Sequence, residues 1–162
     1  MTFEINSLVP ELWCSDFETS LNFYTEILGF TVAQRRSKDP HAYLSLQGSQ
    51  IMIAWWEHDG AWEPWFPKPL EKPYGRGINI QFMINNVREI HASVLSAGLV
   101  PFLELHTSSI WRTDRMDERT QFMLLDPDGY LLRFAQVDSY RAVEQSDINK
   151  IDRFHNKESQ NS

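Results

Sequence analysis

The side chains that could bind a ligand stand at alternate positions of several apolar segments. Glu11 and Trp13 lie in the first of these segments, Asn79 and Gln81 in a middle one, and Arg133 in the last. Because successive side chains of a strand point to opposite faces, each set lies on the face away from its apolar neighbours. A carboxylate, amides, a guanidinium and an indole together favour a planar, polar ligand held by stacking and hydrogen bonds.

The composition excludes several other kinds of chemistry. Cys14 is the single cysteine, so an intrachain disulfide and a thiolate-rich metal site are both ruled out. The net charge of -7 is opposite in sign to the charge that nucleic acid binding requires. No apolar run approaches the roughly 18 residues of a membrane span, and the N-terminus lacks the basic-then-apolar order of a signal peptide. We therefore expect a cytoplasmic protein without a nucleic acid or membrane partner.

The strands and helices that position these side chains follow from the hydrophobic periodicity. Helices are predicted after the N-cap residues Asp16 and Asn86, and Gly29 and Gly98 end them. The polar segment 107–119, around Trp111, is predicted to be a loop. Strands are predicted over residues 8–14, 30–35, 43–46, 50–56, 78–84, 99–105, 120–125 and 130–136.

The order of these elements occurs twice along the chain. The start of the second helix, Asn86-Val87-Arg88, repeats that of the first, and the glycine after each helix recurs at nearly the same offset. This duplication predicts two β-α-β-β-β modules, residues 1–57 and 78–137. A linker rich in Pro and Trp, 58–77, separates them, and a polar tail, 138–162, follows.

The sequence resembles the vicinal oxygen chelate superfamily, which includes glyoxalases, extradiol dioxygenases and the metal-free bleomycin resistance proteins. The resemblance is carried by DFETSLNFY at 16–24, LGF at 28–30 and LDPDGYLLR at 125–133, and it covers about residues 8–137. It implies an α+β fold in which two paired β-α-β-β-β modules form a curved mixed-sheet cup, with the helices on the outer face.

The resemblance also indicates where the enzymes of this superfamily hold a metal ion. Counting from the helix starts and the last turns places these positions at Val9, Ala54, Asn79 and Arg133, none of which is a good ligand. We therefore expect no metal, no cofactor and no metal-dependent catalysis. The five histidines are expected to be solvated or structural: His41, His58, His91, His106 and His155.

Within the superfamily, the sequence is most similar to the bleomycin resistance proteins. The strings QIMIAWWEH at 50–58, WF at 65–66 and DPDGYLLRFAQ at 126–136 carry this similarity. It implies a homodimer that gives antibiotic resistance by sequestering a bleomycin-like or other aromatic cationic drug without altering it. The residues predicted to bind the ligand are Glu11, Trp13, Trp56, Glu57, Trp65, Phe66, Asn79, Gln81, Trp111 and Arg133.

Three alternatives to ligand sequestration remain open. Trp13 and Trp56 could fill the cup themselves, with Glu11 and Arg133 forming a buried ion pair. A metal-independent enzyme could use Glu11 as a general base and Arg133 as an electrostatic clamp, although an adjacent cation lowers the pKa of a carboxyl group. The tryptophans of the linker could instead dock another protein.

Overall fold

A computed structural model of the chain describes residues 4–36, 40–55 and 70–149. No helix in this described part is long and apolar enough to cross a membrane. The strands are β1 (Glu11–Cys14), β2 (Thr31–Arg35), β3 (His41–Leu46), β4 (Ser49–Trp55), β5 (Asn79–Met83), β6 (Leu103–Trp111), β7 (Arg115–Leu125) and β8 (Leu131–Ala142). The helices are α1 (Phe17–Asn22), which continues into a π-helical segment (Phe23–Ile27), and α2 (Val87–Ser96).

The strands form two four-stranded mixed sheets with the same internal order, β1-β4-β3-β2 and β5-β8-β7-β6. In each sheet the first strand pairs in parallel with the last, Glu11 beside Met52 and Gln81 beside Arg133. One helix follows the first strand of each set. The predicted α+β fold of two β-α-β-β-β modules is therefore confirmed.

The helices begin where the sequence predicts, but only one start is capped by its own side chain. Asp16 accepts a hydrogen bond from the backbone N–H of Thr19 at 2.9 Å, as an N-cap aspartate does. Asn86 makes no such bond to α2. Its side-chain oxygen instead accepts a hydrogen bond from Gln47 at 2.7 Å, so this asparagine joins the second helix to the β3–β4 turn.

The chain forms two compact units, and the larger comprises residues 1–106 and 121–136. Its hydrophobic core draws buried residues from both modules. A line of aromatic rings runs through it from Tyr24 to Phe30, Phe82, Phe134 and Phe122, with neighbouring centroids 5.2 to 5.4 Å apart. These rings fix the side of each sheet that faces the helices.

A buried carboxylate also joins the modules within the larger unit. Asp128, in the turn before β8, is only 1% exposed. It accepts hydrogen bonds from the backbone N–H of Ser15 at 3.1 Å and from the Ser15 hydroxyl at 2.7 Å. The ammonium group of Lys72 lies 2.9 Å from the same carboxylate, so its charge is balanced. The start of α1 is thereby attached to the last turn of the second module.

The predicted loop at 107–119 is wrong, because most of these residues lie in strands. β6 continues to Trp111 and β7 begins at Arg115, and the backbone N–H of Arg112 bonds to the carbonyl of Arg115 at 2.8 Å. β8 likewise runs to Ala142, beyond the predicted end at residue 136. Residues 145–149 form a further helical turn. Polar strands of this kind carry no apolar alternation from which they could be predicted.

The smaller unit comprises residues 107–120 and 137–162. Asp117 is 1% exposed and accepts hydrogen bonds from Arg115 at 2.7 Å and Arg112 at 3.3 Å. Burial raises the pKa of this carboxyl group, but the two arginines outweigh that effect and leave the pKa below its ordinary value. A second ion pair joins Arg141 to Asp147 at 2.7 Å. In the described part of this unit, the carboxylates of charged pairs are therefore buried, as is the apolar side chain of Met116.

Candidate functional site

The first sheet presents a mixed aromatic and polar surface on the side away from the helices, as strand alternation predicts. In β1, Leu12 and Cys14 are buried in the core, whereas Glu11 and Trp13 are partly buried on the opposite side. The register places Glu11 beside Met52 and Trp13 beside Ala54. We call this set, together with the β3 residues that continue it, the first face.

The β3 strand adds an imidazole and a phenol to the first face. His41 pairs with Ala54 and Tyr43 with Met52 across the antiparallel ladder. His41 is buried, and its Nε2 lies 4.0 Å from the carboxylate of Glu11. The rings of His41 and Tyr43 meet edge to face at 5.3 Å. An acid–base group and a carboxylate therefore lie side by side beside Trp13.

The second sheet carries the amides and the guanidinium. Asn79 and Gln81, in β5, have exposed side chains. The alternate residues of this strand, Ile80 and Phe82, turn toward the core. Gln81 pairs with Arg133 of β8, which is partly buried. We call this surface the second face. The sequence prediction that Asn79, Gln81 and Arg133 share one face is supported by this register.

A directional series of hydrogen bonds holds Arg133. Its Nε donates to the side-chain oxygen of Gln121 at 2.8 Å, and its Nη2 donates to the same oxygen. The Gln121 amide nitrogen must then act as a donor, and it lies 3.1 Å from Nε2 of His106. His106 Nε2 therefore accepts, so the ring proton lies on Nδ1, which is 3.0 Å from the carbonyl of Glu104. Each group in the series is oriented by the next.

The electrostatics of Glu11 differ from the sequence expectation. Burial raises the pKa of this carboxyl group, and the positive charge of Arg36 offsets part of the rise. An adjacent Arg133 was expected to lower this pKa instead. The hydrogen bonds that the structure gives for Arg133 go to Gln121, and the ion-pair contact given for Glu11 is to His41. The alternative of a Glu11–Arg133 ion pair is therefore not supported among the described residues.

The sheet register corrects one of the four positions compared with metal ligands. Glu11 precedes the N-cap residue Asp16 by as many residues as Gln81 precedes the N-cap residue Asn86. Glu11 and Gln81 are therefore at equivalent positions of the two modules. Glu11 pairs with Met52, whereas Gln81 pairs with Arg133. Met52, rather than Ala54, is therefore the counterpart of Arg133. Sequence counting missed this because the turns before the two strands differ.

The donors at these positions do not fit a divalent cation. A thioether is a weak ligand for the hard cations that prefer oxygen, and a guanidinium repels any cation. In the described residues, no three His, Cys, Asp or Glu side chains come together in a way that could hold a metal ion. Among the described residues, Met52 and Arg133 therefore contribute no oxygen or nitrogen donor for a divalent cation at these two positions.

Several residues predicted to bind the ligand fall elsewhere. Trp111 lies in β6, in the smaller unit, and is 49% exposed. The remaining four predicted residues lie outside the described part of the chain: Trp56, Glu57, Trp65 and Phe66. Their part in the site stays a prediction.

Sequence reasoning missed four polar residues of the two faces. His41 precedes the strand predicted over residues 43–46, but it lies in β3 beside Ala54. Tyr43 was predicted to lie in a strand, but the side of the sheet that it faces was not predicted. His106 and Gln121 were not connected with Arg133, because their contacts depend on the register between the consecutive strands β6, β7 and β8. The alternation of β3, with Ala42 and Leu44 fully buried, is the signal that could have placed His41 and Tyr43 on the opposite side.

Comparison with known proteins agrees with this architecture. Residues 4–134 match the Glyoxalase/Bleomycin resistance protein/Dioxygenase superfamily. A bleomycin resistance protein of Geobacillus stearothermophilus is 24% identical over 136 residues, which cover 79% of this chain and 94% of that protein. TioX from Micromonospora sp. ML1 has a similar fold, with a TM-score of 0.61 at 19% identity over 82% of this chain and 98% of that one. A glyoxalase/bleomycin resistance protein/dioxygenase from Alicyclobacillus acidocaldarius is also similar in fold, with a TM-score of 0.52. It is 17% identical, and the match covers 82% of this chain and 93% of that one.

Proposed function

Since the chain belongs to the Glyoxalase/Bleomycin resistance protein/Dioxygenase superfamily, we propose that it binds an aromatic small molecule and releases it unaltered. The observation that carries this proposal is the mixed aromatic and polar lining of the two faces. Arg133 and Met52 occupy equivalent register positions in the two sheets, and neither side chain offers the oxygen or nitrogen donor that a divalent cation needs. The same faces offer Trp13, Tyr43 and amides, which stack and hydrogen-bond without doing chemistry.

A drug of the bleomycin class is the named candidate ligand. Bleomycin resistance proteins match this chain over 94% of their length, although at 24% identity. The net charge of -7 favours cationic ligands over anionic ones at long range. Trp56, Glu57, Trp65 and Phe66 belong to this proposal as aromatic and acidic contacts. Its biological form is a cytoplasmic homodimer that confers antibiotic resistance.

The proposed dimer has a physical reason in the second face. Met83 is 41% exposed although it is apolar, and Asn79 and Gln81 beside it are exposed as well. A second copy of the chain that packed on this face would bury Met83 and the two amides. Sedimentation equilibrium at micromolar concentration tests for this dimer, and a monomer under these conditions would contradict it.

The binding proposal is tested by titrating the protein with metal-free and copper-bound bleomycin in a calorimeter. We expect saturation at one or two molecules per dimer, and mass spectrometry should recover the drug unchanged. Trp13→Ala should weaken binding by about tenfold or more, because a buried aromatic contact is worth roughly 1.4 kcal/mol or more. Tyr140→Ala, at an exposed site in the smaller unit, is the matched control. Chemical alteration of the drug would overturn the proposal.

One observation favours a second candidate function, a metal-independent enzyme. Glu11 has a raised pKa, and its carboxylate lies 4.0 Å from Nε2 of His41, so a carboxylate and an imidazole stand together on the first face as a candidate general base and general acid toward a substrate. Carbonyl compounds with an acidic α-proton are suitable test substrates, followed by exchange of that proton in deuterated water. Exchange that is lost in both Glu11→Gln and His41→Gln would favour catalysis over sequestration.

A further inference from the structure

Arg133 is a partly buried cation whose described partner is a neutral amide. Both of its hydrogen bonds go to the side-chain oxygen of Gln121. Among the described residues, no carboxylate lies within ion-pair distance of this guanidinium. Other arginines of the chain do meet a carboxylate, as Arg35 meets Glu18 at 2.6 Å and Arg141 meets Asp147 at 2.7 Å. A partly desolvated positive charge without a counter-ion is costly, and an anionic ligand would lower that cost.

The N–H groups of Arg133 that do not bind Gln121 lie along the outer edge of the guanidinium. A guanidinium has five N–H groups in a fixed plane. Nε and Nη2 together hold the Gln121 oxygen along one side. The outer edge, made by Nη1 and the second proton of Nη2, keeps two parallel donors. This is the arrangement that binds a carboxylate in the bidentate manner.

The hydrogen-bond series fixes the direction of that edge. Gln121 is buried, at 6% exposure, and its amide is held in turn by His106. Because the amide oxygen points to Arg133 and its nitrogen to the imidazole, neither group can turn without losing a bond. The guanidinium is therefore preorganised, which reduces the entropy cost of binding an anion.

We propose that Arg133, held by Gln121 and His106, anchors a carboxylate of the aromatic ligand on the second face. The neighbours Asn79 and Gln81 provide neutral hydrogen-bonding groups beside it, with no opposing charge. This inference rests on the proposed binding function, and it adds to the aromatic ligand a carboxylate at the end that meets Arg133. A cationic group elsewhere in the same ligand agrees with the acidic net charge of the chain.

The test compares ligands that share one ring system and differ in charge. The full chain is titrated by calorimetry with 2-naphthoate, 2-naphthamide, 2-naphthylmethylammonium and 2-naphthyl phosphate. We expect 2-naphthoate to bind roughly 10- to 100-fold more tightly than the amide, as hydrogen bonds to a charged group predict. Titration with 2-naphthyl phosphate distinguishes recognition of a planar carboxylate from general binding of anions. Tighter binding of the phosphate than of 2-naphthoate would overturn the carboxylate assignment.

Two variants remove the anchor in different ways. Arg133→Gln removes the positive charge, and Gln121→Glu keeps the shape but gives Arg133 an internal carboxylate partner. Both should reduce naphthoate affinity to that of the amide while leaving amide binding unchanged. Arg76→Gln, at an exposed arginine that donates to the carbonyl of Lys72, is the matched control. Circular dichroism and thermal unfolding establish that each variant is folded.

The outcomes separate this inference from the proposed function. If bleomycin or the cationic naphthalene binds tightly and naphthoate shows no preference, the sequestration proposal stands and the carboxylate anchor is wrong. If no naphthalene compound and no bleomycin binds, both fail. If naphthoate is preferred equally by the wild type and both variants, the anion site lies elsewhere and Arg133 is not the anchor.

Discussion

The hydroxyl of Tyr24 donates a hydrogen bond of 2.9 Å to the carboxylate of Asp126, a residue 102 positions further along the chain. Tyr24 is fully buried, and Asp126 is 7% exposed. The same carboxylate accepts the backbone N–H groups of Asp128 and Tyr130 at 3.0 and 2.8 Å. One side chain thus closes the turn before β8 and attaches it to the helical segment of the first module.

Tyr24→Phe should lower the free energy of unfolding by about 1 to 3 kcal/mol, because it leaves a buried carboxylate oxygen without its donor. Urea denaturation followed by circular dichroism measures this change. Tyr140→Phe removes a hydroxyl from a residue that is 73% exposed, and it should cost nothing measurable. Equal stability of the two variants would show that the Asp126 bond contributes no net free energy.

Gly129→Ala should destabilise the protein much more than Gly77→Ala. Both glycines have a positive φ, 91° and 84°, so the backbone strain of a side chain is similar at the two sites. An added Cβ at Gly129 would lie 2.4 Å from the Cβ of Pro73, whereas one at Gly77 would meet nothing within 4 Å. We expect the strain at Gly77 to cost about 1 kcal/mol and Gly129→Ala to cost more.

The comparison of thermal unfolding midpoints checks this prediction. The difference between the two variants isolates the steric contact from the backbone conformation. Similar midpoints for both would mean that the segment around Pro73 moves away at no cost.

Native Cys14 should resist alkylation until the protein unfolds. The thiol is buried, and its pKa is raised to about 12 by burial and by the nearby carboxylate of Asp128. Because the thiolate is the reactive form, labelling by iodoacetamide at pH 8 should be on the order of 10³-fold slower than in an unfolded chain. Mass spectrometry in buffer and in guanidinium chloride measures both rates on the single cysteine. Rapid labelling of the folded protein would contradict the buried position.

Glu11 should make the stability of the protein fall as the pH rises. Its pKa is raised in the folded state, chiefly by burial, so the folded chain holds this proton more tightly than the unfolded chain. The stabilisation is fully present below the ordinary glutamate pKa of about 4.3 and is lost as the pH rises through the folded value. Glu11→Gln should therefore gain stability relative to the wild type as the pH rises above about 4 and through the raised pKa of Glu11.

Urea midpoints of the wild type and Glu11→Gln, measured at intervals across this pH range, provide the comparison. Glu18→Gln, whose side chain is exposed and pairs with Arg35 across the surface, is the control. A difference between wild type and Glu11→Gln that stays constant with pH would show that Glu11 titrates as an ordinary exposed carboxylate.

The elements that could be predicted from the sequence are those whose apolar residues recur with the period of a strand or a helix. Asp16 and Gly29 bound the first helical segment, and the alternation of β1 and β4 placed Glu11 and Trp13 opposite the core. The polar ends of β6 and β7 escaped prediction, because Asp117 is buried by pairing with arginines rather than by apolar contacts. These arginines are near Asp117 in sequence, but charged residues that pair locally give no apolar alternation by which a strand is recognised.

The candidate site was predicted in part for the same reason. Single strands show which side chains share a face, so Asn79, Gln81 and Arg133 could be grouped. The pairing between strands decides which side chains touch, and that register is a property of turns and tertiary packing. The contacts of His106 and Gln121 with each other and with Arg133 are therefore visible only in the structure. The same holds for the register that makes Met52, rather than Ala54, the counterpart of Arg133.

The bonds from Ser15 to Asp128 and from Tyr24 to Asp126 have a consequence for synthesis on the ribosome. They span 113 and 102 residues, so the first helix leaves the exit tunnel long before its partners exist. At about 5 to 20 residues per second, this delay is roughly 5 to 20 s. During that time Tyr24 and Ser15 have no carboxylate to receive their hydrogen bonds. The attachment of the first helical segment to the second module is therefore completed only after the turn before β8 has been translated.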